Sequence, residues 1–197
     1  MIVLSFLVIA FGMPYSRFVL NLYGGSNLIN GPGVTLLQLY CVYILFLAVN
    51  GITEAFSQAT MSIQELEYYK KLISIFAFVY LGLFYVLIKL IGIHGIIIAN
   101  CVNMLFRITI NAYYIYRYFH GNQWSKPFEF SLTYLISLIG CSALCFYSEQ
   151  WFSHALFHFS FGAILGLGML LLTWREEREM IHYIYCILRL NREKKNI

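Results

Sequence analysis

Six apolar runs, each about twenty residues long, alternate along this chain with short polar or glycine-bearing segments. A helix of about 20 apolar residues spans the hydrocarbon core of a bilayer, whereas a spanning strand needs alternation over about ten residues. The pattern therefore predicts helices. The first covers Ile2 to about Leu22, broken near Pro14, and the second Val34 to about Ala59. The third covers Leu72 to Ile91 and the fourth Gly95 to Phe119. The fifth runs from about Ser131 to Glu149 and the sixth from Ala155 to Trp174. Glycine and proline mark the breaks: Gly24, Gly25, Gly31, Pro32 and Gly33 after the first span, Gly92 and Gly95 after the third. Glu65, Glu67, Lys70 and Lys71 read as a solvated loop before the third.

After Trp174 the pattern changes. Charges alternate with Met180, Ile181, Ile184, Ile187 and Leu188, as in an amphipathic helix lying on an anionic leaflet. The expected organisation is a transmembrane bundle over residues 1–174 and a juxtamembrane tail over 175–197. Composition agrees. Of 197 residues, 60% are hydrophobic and 11% charged, against about 25% charged in soluble domains. The fold class is all-α, a polytopic membrane helix bundle. Met1 leads at once into an apolar run without the basic segment of a signal peptide. A span starting there is expected of an internal piece of a longer chain.

Lys and Arg placement sets orientation. With six spans, both termini share a side. That side holds Lys70, Lys71, Arg117, Lys126, Arg175, Arg178, Arg189, Arg192, Lys194 and Lys195, and the other holds Arg17 and Lys89. Both termini are expected in the cytosol. The last residues, Lys194-Lys195-Asn196-Ile197, resemble the di-lysine retrieval signal of endoplasmic reticulum membrane proteins.

Polar residues inside the spans carry the chemistry. A charge at the bilayer centre costs about 2.5–3.5 kcal/mol and normally faces protein or water. Arg107 sits midway along the fourth span. At about 100° per residue, Asn100, Asn103, Arg107, Asn111 and Tyr114 fall within an arc of about 80°. This stripe reads either as interhelical glue or as the lining of a cavity for an anionic or sugar-like ligand. On the second span Asn50, Glu54 and Ser57 share a face, with Tyr43 above them. Glu54 is a structural or interfacial carboxylate, or a partner and gate for Arg107. Gly51 and Ala55 form a small-residue face open to another helix.

His154 and His158 are four apart but lack a third ligand, and read as interface histidines. Cys41, Cys101, Cys141, Cys145 and Cys186 have no metal-site spacing, and the four in apolar segments read as packing residues. No metal, cofactor, catalytic pair or nucleic-acid partner is expected.

Several segments together resemble the eukaryotic oligosaccharide-lipid translocation proteins of the endoplasmic reticulum, the "requiring fifty-three" family. They are Tyr23-Gly24-Gly25, Leu39-Tyr40-Cys41 leading to Asn50-Gly51-Ile52-Thr53-Glu54-Ala55-Phe56, and Ala99-Asn100-Cys101-Val102-Asn103-Met104. Arg107-Ile108-Thr109 and Tyr116-Arg117-Tyr118 complete the set. The likeness covers residues 10–120 in order and spacing, and the last two spans by hydropathy.

The resemblance implies the C-terminal part of a flippase fold in which two helical bundles surround a cavity open alternately to each side. It implies an endoplasmic reticulum protein, not an enzyme, that flips or helps to flip dolichol-diphosphate-linked Man5GlcNAc2 to the lumenal leaflet for N-glycosylation. The N-terminal bundle would be a partner absent from this chain, and membrane lipids would surround it. Arg107 would meet the diphosphate, and Asn100, Asn103 and Asn111 would line the sugar path.

Three rivals remain. A small-molecule exporter of the same fold would want a carboxylate-lined cavity for cations. A non-transporting assembly factor for N-glycosylation would pack its stripe dry. A membrane glycosyltransferase would want an acidic metal site.

Overall fold

The computed structural model describes residues 2–24, 29–120, 132–151, 155–176 and 178. All elements among them are helical: α1 (Ile2–Gly24), α2 (Gly33–Thr60), α3 (Ile63–Ile91), α4 (His94–Tyr118), α5 (Leu132–Trp151) and α6 (Ala155–Glu176). Among the described residues, five of the six are long and apolar enough to cross a membrane. In α5 the apolar stretch is shorter, Ile136–Ser148. His154, Lys126, Lys194, Lys195 and the amphipathic tail beyond Arg178 lie outside the described residues.

The chain forms two compact units, Met1–Phe130 and Ser131–Ile197. In the first, α2 packs on both α1 and α4, and α4 packs in turn on α3. In the second, α5 pairs with α6.

Much of what is buried is small or polar, beside a few larger side chains such as Leu7, Tyr15 and Met169. Ala10, Ser5 and Ser16 of α1, Asn50, Thr53 and Ser57 of α2, and Ala99 and Asn111 of α4 are all enclosed. Many large apolar side chains point outward: Ile75 is 65% exposed, Phe78 77% and Leu90 75%. A soluble protein has the opposite arrangement. In lipid there is no hydrophobic drive between helices, so small residues that permit close approach occupy the contacts. Gly12 illustrates this, since a Cβ added there would sit 2.7 Å from Cys41 Sγ on α2. The α3–α4 turn is equally tight. Gly92 adopts φ 65°, and a Cβ on Gly95 would strike the Leu87 carbonyl oxygen.

Two expectations from sequence need correction. α1 is continuous through Pro14 rather than broken there. Polar side chains support the backbone around it: Ser16 Oγ donates to the Gly12 carbonyl at 2.6 Å and Gln38 Nε2 of α2 to the Met13 carbonyl at 3.4 Å. Neither acceptor is the Ala10 carbonyl, whose helical bond Pro14 removes, but both bonds fasten the turn around the proline.

The second correction concerns α3, which starts at Ile63, nine residues before the expected Leu72, so Glu65, Glu67, Lys70 and Lys71 are helical. The reason is local. Ser62 and Glu65 form a reciprocal capping box, with Glu65 Oε2 accepting from Ser62 N at 3.0 Å and from Ser62 Oγ at 2.8 Å. The charged turns are the part of a long helix that extends past its apolar stretch.

His158, read as an interface histidine, is buried where α5 and α6 meet. It is 5% exposed, and its Nδ1 lies 2.7 Å from Ser148 Oγ across the α5–α6 pair. Burial of a polar ring requires such a partner.

Candidate functional site

Glu54 of α2 and Arg107 of α4 meet within the first unit. Arg107 Nη1 lies 3.5 Å from Glu54 Oε1 and 3.4 Å from Oε2. Both partners are mostly enclosed, at 28% and 21% exposure. Their depths differ. Glu54 is six residues from the end of α2, about 9 Å at 1.5 Å per residue, and Arg107 is eleven from the end of α4, about 16 Å. The long guanidinium arm reaches toward the nearer helix end, as membrane arginines do.

Glu54 is held from its own helix. Asn50 Nδ2 donates to Oε2 at 2.9 Å and Gln58 Nε2 to Oε1 at 3.0 Å. The spacing at i−4 and i+4 puts all three on one face. By contrast the guanidinium contacts are long, since charge-assisted N–H···O bonds run at about 2.7–2.9 Å.

The rest of the stripe turns to α3. Asn111 is fully buried and its Nδ2 donates to the Tyr69 hydroxyl at 3.2 Å. Asn100 Oδ1 accepts from the Tyr80 hydroxyl at 2.6 Å. Asn103 is half-buried. Thus Arg107 faces α2 while Asn100 and Asn111 face α3, and α4 carries polar contacts to both neighbours.

The centre is incompletely bonded. Among the described residues, Asn50 Oδ1, Ser57 Oγ, Arg107 Nε and Asn111 Oδ1 are buried with no hydrogen-bond partner. Such groups cost about 1–3 kcal/mol each when left unmet. This cluster offers both donors and acceptors. Gly51 and Ala55 remain exposed, and nothing lies within 4 Å of the position a Gly51 Cβ would take.

Tyr69 was absent from the sequence-derived site because its segment read as loop. The capping signature Ser62-Ile63-Gln64-Glu65 would have extended the helix and put Tyr69 beside α4. Tyr80 and Gln58 carried no comparable signal, being two polar residues among many.

The sequence profile of the family described as Rft protein matches residues 1–186. The chain belongs to the Rft family. Similar Rft proteins, each named "Man(5)GlcNAc(2)-PP-dolichol translocation protein RFT1", occur in animals and fungi. That of Mus musculus is 35% identical over 188 residues, covering 88% of this chain and 34% of the relative. That of Xenopus tropicalis is 41% identical over 119 residues, 60% of this chain and 22% of the relative. The Saccharomyces cerevisiae protein is 27% identical over 186 residues, 91% and 32% respectively. This chain spans about a third or less of the length of these relatives. No solved structure matches it. As an Rft family member built of long apolar helices, it is a multi-pass membrane protein.

Proposed function

We propose that this chain serves in translocating Man5GlcNAc2-diphosphate-dolichol, the ligand in its relatives' names, across the endoplasmic reticulum membrane for N-glycosylation. The observation that carries the reading is the Arg107–Glu54 pair: a guanidinium in an apolar helix, loosely held at 3.4 Å, with its Nε unmatched. A diphosphate offers several anionic oxygens and matches the guanidinium fork better than one carboxylate does. Glu54, kept in place by Asn50 and Gln58, is then the gate from which Arg107 is drawn. Asn103 and the unmatched Oδ1 of Asn111 supply contacts for sugar hydroxyls.

In this reading the chain acts by binding and movement rather than catalysis. It works with an N-terminal bundle of the same fold and is inactive alone. Both termini are cytosolic, with Lys194 and Lys195 forming a retrieval signal.

A second reading has its own support. The Asn100–Tyr80 and Asn111–Tyr69 bonds tie α4 to α3 and use part of the stripe as glue, as a non-transporting assembly factor for N-glycosylation would. Proteoliposomes of a full-length family member separate the two. Leucine at the position matching Arg107 should cut movement of the diphosphate lipid at least tenfold with normal protein abundance. Unchanged movement would reject Arg107 as the diphosphate contact, and a wild-type protein that moves no lipid would favour the assembly factor.

A further inference from the structure

Beside the polar centre, a groove of about 310 Å³ opens between the first turns of α3 and the last turns of α4. Tyr68, Tyr69, Tyr113 and Tyr114 line it together with Gln64 and Arg117. Two adjacent tyrosines come from each helix. Consecutive helical residues point about 100° apart, so each pair spreads around its helix and the two pairs clasp one space. Tyr69 is a fixed wall, 3% exposed and bonded to Asn111, while Tyr68 and Tyr113 are 70% and 64% exposed.

The lining selects a chemical class. Tyrosine presents an apolar ring face and a polar tip. A ligand that matches several such rings has apolar C–H faces and hydroxyl edges, as a pyranose does. Glu65 also lines the groove, so its carboxylate and the Arg117 guanidinium balance. An isolated phosphate would meet that carboxylate, while Met61, Leu72 and Ile110 give the lining an apolar share that pairs with a sugar's C–H faces. A neutral polyhydroxylated ligand suits all of them. Glu65 is pre-set by its bonds to Ser62 through Oε2, which lowers the ordering cost of binding. The volume falls at the low end of small-ligand clefts, about 300–1,000 Å³.

The geometry points to a sugar-binding groove between α3 and α4 that holds one or two units of a glycan. This deepens the proposed translocation and rests on it for the link to a lipid. Tyr69 joins the groove to Asn111, one helical turn from Arg107, so one ligand can place its diphosphate at Arg107 and its sugars here.

Saturation-transfer NMR on the protein in lipid nanodiscs tests this with two separate probes. One is a free mannose-rich oligosaccharide with no lipid and no phosphate. The other is a short prenyl diphosphate with no sugar. The free glycan should receive saturation. Tyr113→Leu should weaken glycan binding about tenfold, and Tyr113→Phe should retain it within about threefold. Prenyl diphosphate binding should be insensitive to Tyr113→Leu.

No transfer to the glycan, or glycan binding indifferent to Tyr113→Leu, would overturn the sugar groove. So would loss of prenyl diphosphate binding in Tyr113→Leu, which would make the groove a lipid site. Glycan binding as expected, with prenyl diphosphate unaffected by Arg107→Leu, would uphold the groove and count against the diphosphate role of Arg107 alone.

Discussion

Removing the carboxylate of Glu54 leaves Arg107, among the described residues, without an anionic partner in a mostly enclosed position. At 3.4 Å and an effective dielectric of about 20, the Coulomb attraction is about 5 kcal/mol, before desolvation of either charge is counted. Exposed pairs contribute about 0.2–1 kcal/mol net, while breaking a fully buried pair costs about 3–5 kcal/mol. Exposures of 28% and 21% and long contacts place this pair between those limits. The expected coupling is about 1–2 kcal/mol, from the same bracket.

A double-mutant cycle measures it: Glu54→Gln, Arg107→Gln and both together, each followed by detergent-titrated unfolding in mixed micelles. Glu54→Gln should be the more damaging single change, because it strands a charge. Arg107→Gln leaves Glu54 with its bonds from Asn50 and Gln58. The double variant should be more stable than the sum of the singles predicts. Additivity within about 0.3 kcal/mol, the usual result for independent sites, would show that the two side chains do not hold each other. The gate assigned to Glu54 would fall with it.

Further outcomes are expected elsewhere. Gly12→Ala should destabilise the α1–α2 contact by about 1–3 kcal/mol through overpacking, and Cys41→Ala should restore much of it, because the Cβ would meet Cys41 Sγ at 2.7 Å. The unfolding of the paired variants checks this. Ser62→Ala should cost about 0.5–2 kcal/mol by removing the α3 cap, with amide exchange rising at Ile63 to Glu65 and not at the centre of the helix. Changing Lys194 and Lys195 to Ser should let some protein reach later secretory compartments, read by microscopy. Unaltered residence would reject the retrieval signal.

The helices were legible from sequence because bilayer thickness fixes their length and lipid forbids a mixed surface. The α2 and α4 boundaries, marked by glycine and by charge, fall within a residue or two of the expected ones. The start of α3 was not legible from hydropathy, which cannot tell a charged loop from the charged turns of a long helix. The capping pair could tell them apart. Within the site, Glu54 and Arg107 stood out as ionisable groups in apolar runs, and the structure brings them together. Their distance, and the turn of Asn100 and Asn111 toward tyrosines of α3, depend on how α4 lies between two neighbours. No periodicity within α4 encodes that. The partner of His158 was not legible for a related reason: Ser148 lies on another helix, and a serine carries no signature of its own.

The order of the two charges along the chain has a consequence for biogenesis. Membrane helices leave the ribosome in sequence, and Glu54 precedes Arg107 by 53 residues. When α4 reaches the translocon, α2 is already in place with its carboxylate anchored by Asn50 and Gln58. The arginine thus enters the bilayer toward a waiting counter-charge, which lowers the barrier to a helix that on its own sits poorly in lipid. A defect in α2 would then be felt at α4, as mis-integration during synthesis rather than as weakness in the finished protein.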